Sequence, residues 1–182
     1  MIYSVSLETA LLLVGVLLVS SHLVALLFEG AVRRGLLAFP RSAAAGNVLF
    51  CLAALHFGAL VAWTDLGEFT PMRPKFLLVT FLAAVLTLRF VREFLAVRAL
   101  GMLLLLLAEP LLEAAWMRPE AGRLLLVGLV YVWIVSGLFC IGMPYLLRDA
   151  VTWVTGAQWR WRASVWAGIA YGLLLLGVRA TI

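Results

Sequence analysis

The residues best suited to chemistry in this chain are His22 and His56, its only histidines, each set deep inside an apolar run. An ionisable side chain in hydrocarbon is costly, so it turns to the bundle interior and takes a partner. A neutral imidazole is also a common metal ligand. Leu18, Ala25, Leu26 and Gly15 share the His22 face, and Leu52, Ala53, Ala59, Leu60 and Trp63 lie around His56. Small residues beside each ring leave room for something flat. With one span leaving the membrane near Phe28 and the next entering near Asn47, the two rings lie six and nine residues from the same face, roughly 9 and 14 Å at the helical rise. Tilts of about 20° are ordinary and close such a gap. The pair therefore reads as axial ligands of a haem b, or of another tetrapyrrole, with Arg33 and Arg34 as partners for its propionates. The alternative is structural: each imidazole hydrogen-bonds a serine, a backbone carbonyl or a neighbouring helix.

A second candidate is Glu109, which precedes Pro110 in another apolar run, with Glu113 one turn on along the same face. A carboxylate at that depth can carry protons, bind a cation or hydrogen-bond a quinone. Its structural alternative is an ion pair with an arginine of another span. Arg89, Arg92 and Arg98 resemble a voltage-sensor spacing, but Glu93 interrupts the series; arginines snorkelling to headgroups explain it with less machinery.

The elements that position these groups follow from composition. The 182 residues are 65% hydrophobic and 13% charged, against about 25% charged in a soluble domain, and the mean hydropathy is +1.12. The expected fold is all-α: one polytopic membrane domain over residues 1–182, with about six spans in antiparallel hairpins. The spans are expected near 9–28, 47–64, 76–94, 99–117, 124–147 and 163–178. The first reads as a retained span, since no basic n-region precedes it. A short echo, Leu11–Gly15 against Leu124–Gly128, is too slight to establish a repeat.

Thirteen of the fourteen basic residues are arginine, and they gather at span ends. That placement suits headgroups and topology rather than nucleic acid, which needs a basic face with base-reading side chains. Odd loops carry nine basic residues against five elsewhere, so they are expected to be cytoplasmic, both termini outside, in a multi-pass protein of a bacterial inner membrane. Trp153, Trp159 and Trp161 beside Arg160 and Arg162 read as an interfacial anchor. Ser164, Gly168 and Gly172 form a small-residue stripe for close helix packing, within the protomer or with another subunit.

Cys51 and Cys140 form no CxxC, and Walker A, HExxH, GxSxG and Rossmann signatures are absent. The expected function is a subunit of a larger membrane complex, in its sharpest form an electron-transfer subunit holding haem b between His22 and His56. The alternatives are a structural or assembly subunit without cofactor, and a small transporter with Glu109 as its coupling carboxylate.

Overall fold

The hydrocarbon of a bilayer offers the backbone no hydrogen-bond partner, so a chain this apolar must satisfy its N–H and C=O groups within helices. The computed structural model, which describes residues 5–91 and 93–180, is 88% helical with no strand among those residues. Eight helices follow in order: α1 (Leu7–Leu27), α2 (Glu29–Ala38), α3 (Ala43–Trp63), α4 (Arg73–Phe90), α5 (Leu95–Ala115), α6 (Arg123–Gly142), α7 (Pro144–Thr155) and α8 (Gln158–Arg179). All but α2 and α7 are long and apolar enough to cross a membrane. The protein is a multi-pass membrane helix bundle, and the alternation of its spans puts α2 and α7 at one face.

Local chemistry sets the helix ends. Ser6 starts α1 by accepting a hydrogen bond from the Thr9 N–H at 3.1 Å, and Ser42 starts α3 by accepting from the Ala45 N–H at 3.2 Å. The span expected to reach residue 94 stops at Phe90, and α5 begins after Phe94, whose φ of 54° is left-handed. A helix cannot run through that residue. The span expected to reach Leu147 ends at Gly142, because Pro144 lacks the N–H to continue it and instead opens α7. The last span starts earlier than expected, at Gln158, and takes in Trp159 to Arg162.

The spans pair as α1 with α8, α5 with α6, α3 with α5, and α4 with α3. Leu11 and Val14 of α1, Ala108 of α5, Leu126 and Val130 of α6 and Leu175 of α8 close the main core. A smaller core joins Phe50 of α3 to Leu95 and Ala99 of α5. No residue of α4 is buried.

Leucine contacts favour helix association in lipid little over lipid contacts, so close backbone approach must supply the attraction. Glycine permits it at two crossings. A Cβ on Gly101 would lie 2.6 Å from the Gly137 carbonyl oxygen, and one on Gly137 would lie 2.9 Å from that of Gly101. At the other crossing, a Cβ on Gly172 would lie 3.0 Å from the Gly15 carbonyl oxygen. Backbone cannot swing aside as a side chain does. Gly101→Val is therefore expected to lower stability by about 1–3 kcal/mol, as overpacking does. Gly128→Ala, whose Cβ meets open space, leaves the transition unchanged; thermal unfolding in detergent distinguishes the two.

Candidate functional site

The helix registers separate the two histidines. His22 lies five residues before the end of α1 at Leu27, about 8 Å along the axis. His56 lies thirteen residues beyond the start of α3 at Ala43, about 20 Å along its own axis. The offset is larger than the sequence suggests because α3 begins at Ala43, four residues ahead of the Asn47 entry, and α1 ends at Leu27, one before Phe28. Their packing partners differ as well: α1 lies chiefly on α8, while α3 lies on α5 and α4.

The His22 ring rests on the backbone of Gly168 in α8, where a Cβ would overlap the imidazole. Its Nδ1 is 2.8 Å from the Leu18 carbonyl oxygen and 3.3 Å from the Ser21 Oγ. With Nδ1–H donating to that carbonyl, Nε2 is the nitrogen turned to Gly168. The flat space beside this ring is thus filled by a helix backbone. Of the two packings expected for Ser164, Gly168 and Gly172, within the protomer or with another subunit, the structure shows the first for the glycines: Gly168 and Gly172 are covered by α1 of the same chain, and only Ser164 is exposed.

Arg33 and Arg34, the propionate candidates, part company. Arg33 donates to Glu29 Oε1 at 2.8 Å, to Gln158 Oε1 at 3.0 Å and to the Thr155 carbonyl, and it lies over the Trp161 ring. Gln158 donates in turn to Glu29 Oε2 at 3.1 Å. This network binds α2 to the junction of α7 and α8, and sequence reasoning missed it because Glu29 and Arg33 lie more than a hundred residues from Thr155, Gln158 and Trp161. Arg34 is exposed on α2. Among the three tryptophans of the expected anchor, Trp153 and Trp159 are exposed and Trp161 is buried. Arg92 lies outside the described residues.

The polar group the structure does assemble is acidic. Glu109 and Glu113 of α5 line one open cleft of about 840 Å³ together with Thr64 and Asp65, which follow α3, and with Trp116. Leu105, Ala108 and Leu112 of α5 and Ile134 of α6 complete its wall. Glu109 sits six residues before the end of α5 at Ala115, about 9 Å deep and so nearer the surface than the middle of a span. No basic residue stands in the last turn of α5. Glu113, in that turn, faces the negative end of the helix dipole, where a cation is preferred. Nearby, Arg73 donates to the Thr64 carbonyl at 2.7 Å and so occupies the C-terminal end of α3. Asp65 was not read from the sequence as part of this group; the turn after α3 brings it there.

Charge divides between the two faces. The face of α2 and α7 holds, among the described residues, eight arginines against Glu29, Glu93 and Asp149. The opposite face holds five basic residues against six acids, Glu109 and Glu113 included. Two apolar grooves flank α4. One, of about 480 Å³, runs between α4 and α5 over Ala53 and Ala54 of α3; the other, of about 540 Å³, follows the far side of the α3–α4 seam past Cys51 and Gly58. No group of three or more potential metal ligands occurs among the described residues. Comparison with known proteins finds no matching family model, curated protein or solved structure.

Gly168→Ala is expected to force the His22 ring off α8 and to cost about 1–3 kcal/mol. In a His22→Ala background the same change should cost much less, since the methyl then enters the vacated space. Detergent unfolding of the four proteins of this cycle measures the coupling; equal costs in both backgrounds would refute the contact.

Proposed function

We propose that the protein is a subunit of a larger membrane assembly, and that the α3–α4 hairpin receives a transmembrane helix of a partner. The observation that carries this reading is the state of α4. None of its residues is buried, α3 is its one helical neighbour of substance, and open grooves run along both of its sides. Their walls are rich in Ala54, Ala83, Ala84, Thr80 and Thr87, the small residues that permit close helix packing in lipid. The test places a photo-crosslinking phenylalanine analogue at Phe81, exposed in the second groove, and at Leu13, exposed on α1. In the native membrane, Phe81 should yield a protein adduct of discrete mass and Leu13 should not. Lipid adducts alone at both sites would sink the reading.

The haem form of this subunit requires two imidazoles at one level, whereas the registers of α1 and α3 set them eight residues apart, about 12 Å. A Soret band in the purified protein, lost in both His22→Ala and His56→Ala, would restore it. We take the excess of arginine at the face of α2 and α7 to mark that face as cytoplasmic.

The acidic cleft favours a second reading, a cation- or proton-coupled carrier with Glu109 as the coupling group. Its apolar wall at Leu105 and Ile134 argues for a one-sided pocket rather than a path through the bundle. In proteoliposomes carrying an internal pH dye, this reading predicts proton entry that Glu109→Gln abolishes; equal entry in both proteins excludes it.

A further inference from the structure

We propose that the elbow between α7 and α8 binds the phosphodiester headgroup of an anionic phospholipid, with Arg160 as the contact. At this elbow the Arg160 guanidinium lies 4.6 Å from the centroid of the Trp153 ring and 6.0 Å from that of Trp159. Gly156 brings backbone close to the guanidinium: a Cβ there would come within 3.0 Å of the Thr152 carbonyl oxygen and 3.8 Å of Arg160 Nη2. Stacking occupies the face of a guanidinium and leaves its edge donors for an acceptor. Among the described residues no carboxylate pairs with Arg160, and its Nε is buried without a hydrogen-bond partner. A phosphodiester oxygen is the acceptor that an arginine edge fits best at a membrane surface.

The surroundings select the lipid over a free anion. Trp153 and Trp159 are both well exposed, and exposed indoles beside spanning helices settle at headgroup level. The same face carries the arginine excess, and two of its three acids are already engaged, Glu29 by Arg33 and Asp149 by Arg148. An anionic headgroup seated here meets both the local donor and the field of the face, while its acyl chains follow the apolar sides of α7 and α8.

The test uses the full chain in micelles holding equimolar phosphatidylglycerol and phosphatidylcholine, with retained lipid counted by native mass spectrometry. The wild type should retain phosphatidylglycerol in excess. Arg160→Gln should reduce that excess more than about tenfold, as loss of a hydrogen bond to a charged group does, and Trp153→Leu should reduce it in the same direction. Arg34→Gln, which removes an unstacked arginine from the same face, should lower it by no more than about fivefold, the weight of one arginine at an anionic surface. No excess in the wild type, an excess untouched by Arg160→Gln, or an equal fall in Arg34→Gln would each overturn the proposal. So would displacement of the lipid by millimolar inorganic phosphate, which would make the elbow a free-anion site. Helical circular dichroism checks each variant; should Arg160→Gln fail to fold, Trp153→Leu decides.

Discussion

In hydrocarbon a helix gains little by hiding its leucines, so two spans hold together according to how closely their backbones can meet. Here that closeness is granted at Gly15 with Gly172 and at Gly101 with Gly137. These meetings define two tight pairs, α1 with α8 and α5 with α6, and a shared core joins them. Everything else is placed relative to the pairs. α3 leans on α5, α4 leans on α3, and α2 is tied to the α7–α8 junction by the network around Arg33. The polar groups then fall where the backbone arrangement leaves room: His22 over a glycine, and Glu109 and Glu113 beside a cleft that no helix fills.

The electrostatics of the two faces reinforce this arrangement without creating it. At one end Arg179 reaches Glu8 at 2.8 Å and links the ends of α8 and α1. Both partners are substantially exposed, so the pair contributes little by itself. The contrast between an arginine-rich face and a face with a slight acidic excess is a property of the whole chain. It gives the bundle a direction, and it explains why acidic chemistry gathers at one end and anion-attracting chemistry at the other.

Much of the fold was legible because hydropathy and length leave an apolar chain few choices. Six spans, the connecting turns and the gathering of arginine at the span ends all follow from composition and order. Boundaries were harder. That α4 stops at Phe90 depends on a left-handed Phe94, which no propensity of phenylalanine announces. Pro144 did announce the end of α6, yet the apolar residues after it look like more of the same span until α7 turns away. The site was legible only in part. Glu109 and Glu113 were visible as neighbours on one face, but Asp65 joins them through a turn. The depths read for His22 and His56 rested on a span entry at Asn47, whereas α3 starts four residues earlier. The stripe on α8 was visible, whereas the helix that covers it, the most distant span in sequence, was not.

That last distance has a bearing on how the protein is made. The glycine face of α1 waits for α8, and every other span is synthesised in between. Throughout that interval the first span must sit in the membrane with Gly15 and His22 unshielded, in need of a temporary companion or at risk of a wrong one. Pairings between ends so far apart form slowly, and exposed intermediates of that kind are where assembly goes astray. The α1–α8 seam therefore closes only after the four spans between them have been made.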